Sequence, residues 1–160
     1  MSAPAKVRVW GWVAILFFLH FLLHVGLSYG RSAPDLLTLG LLLAAREIGA
    51  GRASALGLFF GLLEDALSVL AFGANSVAMT LVAVGGATTR DLFVGDSRVF
   101  LIAYLFVGKW VRDLVHWIAV GEGLRQPFVE QVVVQGALHG LYVAAIGIVI
   151  AGLAGLGGES

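Results

Sequence analysis

The sequence predicts an all-α integral membrane protein, a six-transmembrane-helix bundle. Three observations carry that prediction: a composition too apolar for a small soluble domain, hydrophobic runs of membrane-spanning length, and connections too short to hold a separate domain. Of 160 residues, 59% are hydrophobic and 12% charged, and the mean hydropathy is +0.96. Soluble domains carry about 45–50% apolar and about 25% charged residues. A soluble chain this short leaves much of its area in water and could not hide so much apolar surface. Lipid removes that conflict, and residues 1–160 read as one transmembrane domain.

A spanning helix needs roughly 20 mostly apolar residues to cross a hydrocarbon core of about 30 Å. Helix is the form to expect, because lipid offers backbone groups no partners and these runs are too long for barrel strands. The first span covers about 7–28. Lys6 and Arg8 precede its apolar run, 9–27, as they would a secretory signal, but that run outlasts a signal core of about 7–15 residues, so it reads as a retained helix. The second covers about 34–49, where Pro34 stands near the first helical position and Asp35 by the positive end of the helix dipole. Its uninterrupted apolar core is short, 36–45, so an incomplete crossing is one outcome. The third covers about 52–72 and the fourth about 75–90, with Gly73 and Asn75 marking a tight turn between them. The fifth covers about 98–120, and the sixth about 127–153 after Gly121, Gly123 and Pro127 break the chain. Residues 91–98 form the most hydrophilic connection, and 155–160 read as a frayed tail.

With six spans both ends share a side. That side collects Lys6, Arg8, Arg46, Arg52, Arg90 and Arg98, against Arg31 and Arg125 opposite, so the positive-inside rule puts both termini in the cytoplasm. Net charge is zero, which provides no basic field to draw nucleic acid. Cysteine is absent, which excludes disulfides, thiolate metal sites and cysteine nucleophiles.

Charges at mid-bilayer cost about 2.5–3.5 kcal/mol each on insertion scales, so each calls for a partner or a role. Glu64 and Asp65 fall near the centre of the third span and point about 100° apart on a helix. They serve a proton, a cation or a partner, or the helix ends early and sets both beside the turn at 68–75. Lys109, Arg112, Asp113 and His116 share one face of the fifth helix. Lys109 can pair with Asp113, and Arg112 with His116 through a shared acceptor. Glu64 or Asp65 is the natural countercharge. This stripe reads as a structural ion-pair network or as a functional contact. Gln131, Gln135, His139 and Tyr142 repeat at helical spacing on the sixth helix, where helix–helix hydrogen bonding is the expected use.

His20 and His24 stand four residues apart, as a metal pair would, but no carboxylate shares their helix. Further ligands would have to come from Glu64, Asp65, His116 or His139. Interfacial packing is the reading preferred, and no metal or cofactor is assigned. Small residues recur every fourth position at Ala53, Gly57 and Gly61, at Gly136, Gly140 and Ala144, and at Gly147, Ala151 and Gly155. Such seams let helix backbones approach closely. No nucleophile elbow, phosphate loop, dinucleotide fingerprint or zinc spacing appears, so nothing supports catalysis.

Pro34-Asp35, then Arg46-Glu47, then the run from Gly57 to Ser68 through Gly61, Glu64 and Asp65, and finally Gly73 and Asn75, resemble the rod shape-determining protein MreD family. The resemblance covers about 32–90 in motif and the remainder in hydropathy. It implies a non-catalytic subunit of the bacterial elongation machinery in the cytoplasmic membrane, positioning MreC for cell shape and peptidoglycan synthesis. It also implies looser links to RodA, a class B penicillin-binding protein and MreB. The same glycine-rich acidic segment is similar to the S-components of energy-coupling-factor vitamin transporters, the alternative reading. Such a protein should converge aromatic and polar residues on an outer pocket, and the outer loops here carry little beyond Tyr29, Arg31, Asn75 and Arg125.

Overall fold

The structure is a computed structural model and describes residues 5–26, 34–68, 71–89 and 98–155. Six α-helices and no strand occur among the described residues: α1 Ala5–Phe21, α2 Leu36–Ala45, α3 Ala50–Leu67, α4 Ala74–Thr89, α5 Arg98–Ala119 and α6 Gly136–Ala154. Wide π-type turns extend α1 through Leu22–Gly26 and precede α6 over Val129–Gln135. A short tight turn of helix, Glu122–Leu124, follows α5.

Two of these helices are long and apolar enough to cross a membrane, Lys6–His24 and Val129–Ala154. Only 22% of the most apolar window of the first is buried inside the protein, so most of its apolar surface faces outward. The same holds around the bundle: Phe18, Phe72, Val99 and Leu153 are each at least 70% exposed. A surface of this kind marks a membrane or protein contact rather than water.

All ten residues of α2 are buried. It touches α1, α3, α4, α5 and α6, so it is the axis around which the others stand. At 1.5 Å per residue it is about 15 Å long, half a hydrocarbon core. Gly40 receives Leu16 and Val13 of α1, the Tyr104 hydroxyl of α5 donates to Leu42 O at 2.8 Å, and Gly147 of α6 faces Leu105 and Leu39. The helix starts later than the sequence suggests. Pro34 and Asp35 precede it, and Asp35 is its N-cap, accepting from the Thr38 backbone N–H at 2.9 Å and the Thr38 hydroxyl at 2.7 Å. A capping carboxylate needs a non-helical backbone, which moves the first helical residue to Leu36.

The third helix also differs from its expected bounds, starting at Ala50 and ending at Leu67 rather than running to 72. Ser68 turns extended, and Gly73, with φ +94°, takes the left-handed conformation that lets the chain reverse into α4. Gly73 and Asn75 therefore sit at the turn the sequence indicates. The expected end of the first span at 28, Arg31, Arg90, most of the 91–98 loop and the tail beyond Gly155 lie outside the described residues.

The predicted small-residue seams occupy helix contacts. A Cβ on Gly57 would lie 2.6 Å from Met79 O, and one on Gly61 would strike Ser76 Cα and lie 2.7 Å from Asn75 O. Backbone meets backbone there. On α6, a Cβ on Gly136 would meet Trp110 at 3.3 Å and one on Gly140 would meet Phe106 at 2.9 Å. Gly155, at φ +65°, ends α6 beside the Arg8 guanidinium, which brings the start of α1 and the end of α6 to the same end of the bundle.

Because the atoms facing Gly61 are backbone, no rotamer change relieves an added methyl. Gly61→Ala should cost at least the roughly 1–3 kcal/mol of an overpacked core, and Gly57→Leu should prevent α3 from meeting α4. Thermal unfolding of the detergent-solubilised variants checks this, and wild-type midpoints would show that the seam has room.

Candidate functional site: a buried ion network

Five elements bring polar side chains to one place away from the chain ends. These are the end of α1, the start of α2, the end of α3, the start of α4 and the second half of α5. The stripe on α5 supplies the cations. Lys109 is 2% exposed and pairs with Asp113, one turn along its own helix, and with Asp35 Oδ2 at 3.3 Å. Arg112 spans the widest gap. Its Nη2 donates to Glu64 Oε2 of α3 at 2.5 Å and to Asn75 Oδ1 of α4 at 2.7 Å, and its Nη1 donates to Asp113 at 3.2 Å. Arg112 Nε has no hydrogen-bond partner and lies 3.9 Å from Asp35 Oδ2.

Glu64 and Asp65 diverge, as adjacent helical residues must. Glu64 is the countercharge of Arg112. Asp65, only 1% exposed, turns to α4 instead. It accepts from the backbone N–H of Asn75 at 3.1 Å and of Ser76 at 3.0 Å, and from the Ser76 hydroxyl at 2.6 Å. These are otherwise unpaired groups at a helix N-terminus, where a carboxylate also meets the positive end of the dipole. Both residues belong to the last turn of α3 beside the reversal into α4, yet neither is exposed.

Two expectations for polar residues need correction. Arg112 and His116 share no acceptor among the described residues, because Arg112 reaches across to α3 and α4. Among the described residues, no side-chain hydrogen bond of Gln131, Gln135, His139 or Tyr142 joins one helix to another. Gln135 donates to Glu130 of its own turn at 3.3 Å, His139 is exposed, and Tyr142 is 56% exposed. The wide turn Val129–Gln135 adds residues per turn, so four-residue spacing does not hold one face across it. Hydrogen bonds that do join α5 to the following segment include those of Trp110 Nε1, donating to Val132 O at 3.0 Å, and Trp117 Nε1, donating to Gln126 O at 2.9 Å.

His20 is packed inside the bundle. It is 2% exposed, stacks on His24 at 4.1 Å, and puts Nε2 3.5 Å from Glu64 Oε1. One ligand-type atom from each of His20, Asp35 and Glu64 lies within 4.8 Å of the others. Of the ligands the sequence offered to the His20–His24 pair, Glu64 is thus nearby, joined by Asp35 in place of Asp65, His116 or His139. The set is poorly suited to a metal. The Leu37 backbone N–H donates to His20 Nδ1 at 3.3 Å, so the ring proton sits on Nε2, the atom that would have to bind. Lys109 and Arg112 already hold the carboxylates. Ion pairing and proton exchange are the chemistry this arrangement allows.

Asp35 and His20 find their partners far along the chain. Asp35 carries the signal of a helix start and fulfils it, but its pairing with Lys109 depends on a helix 74 positions away, which no local pattern contains.

No protein-family model matches this chain, and no curated protein or solved structure matches it.

Removing one member of a buried pair costs about 3–5 kcal/mol, because the other is left uncompensated. Arg112→Ala should reach that range, since it leaves the three carboxylates Asp35, Glu64 and Asp113 to Lys109 and removes the link to Asn75. Asp113→Ala should cost less, because Lys109 keeps Asp35 and Arg112 keeps Glu64. Midpoints of thermal unfolding in detergent rank the two. Wild-type stability of Arg112→Ala would mean that water reaches the network.

Proposed function

We propose that this chain is a non-catalytic scaffold of the bacterial cell-elongation complex, of the MreD type, which binds and positions MreC through its surface within the membrane. The observation that carries this reading is a convergence. Six residues of the MreD-like pattern, scattered over 35–75, belong to one assembly: Asp35, Glu64 and Asn75 around Arg112, Asp65 on the N-terminus of α4, and Gly57 and Gly61 at the α3–α4 contact. A pattern of sequence that serves one physical unit is a better basis for a resemblance than single glycines or acids.

On this reading the helices make six crossings of the cytoplasmic membrane, with the short, wholly buried α2 as the central one and both termini in the cytoplasm. The outward apolar surface supports a bilayer environment. The distribution of Lys and Arg supports the orientation. The connections are short, so partners meet intramembrane faces, with MreC as the direct one and RodA, a class B penicillin-binding protein and MreB as members of the wider complex.

Affinity purification of the detergent-solubilised chain, co-expressed with its genomic neighbours, tests the proposal. MreC should be recovered in a stable ratio. Recovery of transporter ATPases with a bound vitamin would replace this reading with that of a solute-binding S-component. A chain that stays monodisperse in buffer without amphiphile would overturn the membrane assignment beneath both.

A further inference from the structure

The charges of the network do not balance among the described residues. Asp35, Glu64 and Asp113 face two fixed cations, Lys109 and Arg112, so three negative charges meet two positive ones and one is left over. Uncompensated charge in a buried site is costly. Something must supply the missing unit of positive charge.

Hydrogen bonding distinguishes the three carboxylates. Asp35 accepts two bonds from Thr38 and has Lys109 at 3.3 Å. Asp113 lies against both cations. Glu64 has Arg112 on Oε2, while Oε1 has no cation beside it among the described residues and faces the neutral ring of His20 at 3.5 Å. Glu64 is therefore the carboxylate least supported as an anion.

Among the described residues, the remaining groups around it offer no further fixed positive charge. On α1, His20 receives the Leu37 N–H at Nδ1, so a second proton on the ring would point at another donor. His24 stacks on His20 and has its own Nδ1 3.1 Å from His20 O. Asp65, the next residue on α3, is a further anion, held by the start of α4. On α4 itself, Asn75 is neutral. On α5, His116 follows one turn beyond Arg112. A carboxylate oxygen of Asp35 lies within 4.8 Å of one of Glu64, and two anions at that separation favour protonation of one of them.

We propose that Glu64 is a proton-binding site: its carboxyl takes one proton from the medium, directed toward Asp35, and brings the ion network to neutrality. Three anions and two cations become two of each, and the proton is exchanged with water without any other bond changing. The network then has two states differing by one charge, in the place where α1, α2, α3 and α5 meet.

Infrared difference spectroscopy on the full-length protein in detergent reads this directly. A protonated-carboxyl band should be present at neutral pH, should move with isotope-labelled glutamate, and should be absent from Glu64→Gln. Asp35→Asn offers a second route should that variant fail to fold. It leaves Glu64 and Asp113 balanced by Lys109 and Arg112, so Glu64 should ionise and the band should vanish. Stability gives an independent readout. The native state holds a proton that the unfolded chain releases, so stability falls as pH rises through neutrality, by about tenfold in the unfolding equilibrium per pH unit. Glu64→Gln should lose that dependence.

A glutamate band missing from the wild type at neutral pH, or one persisting in Glu64→Gln, overturns the proposal. So does a sodium-dependent rise in the alkaline midpoint that needs Glu64, because the missing charge would then be a metal cation. MreC plays no part in these measurements, so they stand or fall separately from the scaffold reading.

Discussion

The guanidinium of Arg112 is the constraint on which the rest of the bundle depends. A charge that lies inside an apolar bundle cannot be left without acceptors, and this one takes them from three helices: Glu64 on α3, Asn75 on α4 and Asp113 on α5. Those acceptors meet only if α3 and α4 come together closely at their connected ends. Gly57 and Gly61 permit that approach, where an added Cβ would strike the backbone of α4. The approach in turn sets Asp65 against the first N–H groups of α4. Seam, reversal at Gly73 and ion network are thus one device.

Much of this was legible in the sequence, because its signals are local. The helices stand where the hydrophobic runs stand, and the predicted glycine seams occupy contacts. Lys109 and Asp113 pair at their i, i+4 spacing. The helix ends were less legible for a physical reason. At Asp35 side-chain hydrogen bonding competes with a helical backbone, at Ser68 the backbone turns extended, and hydropathy registers neither. Partner choice across the bundle was legible only in kind. That a stripe of cations on α5 needs carboxylates follows from the cost of burying charge. That Glu64 answers it, while Asp65 turns away, depends on the rotation of α3 about its axis. The polar residues of the last segment show the converse. Their spacing presumes a regular helix, and the wide turn before α6 breaks the phase.

His20 shows how context changes the meaning of a residue. With His24 it has the spacing of a metal pair, and two carboxylates are in fact nearby. Yet the backbone N–H of Leu37 fixes the ring proton on the side where a metal would have to bind. The same hydrogen bond makes His20 a neutral neighbour to Glu64, which is what leaves that carboxyl short of positive charge. One weak backbone contact at 3.3 Å thus directs the site away from metal ligation and toward proton binding.

On the proposed membrane reading, the role of the buried ion network follows from what lipid does not provide. Apolar side chains gain little by leaving hydrocarbon for a protein interior, so they select no particular neighbour or register. An α2 composed of leucine, alanine, glycine and one threonine could slide or rotate among its neighbours at small cost. Ionic and hydrogen-bonding partners cannot. A shift of one turn would part Asp35 from Lys109 and the Leu37 N–H from His20 together. Buried pairs often contribute little net stability, but they penalise wrong arrangements heavily. A protein whose proposed task is to present a fixed intramembrane surface to a partner needs that penalty more than it needs added stability. This accounts for charges retained where leucines would have packed.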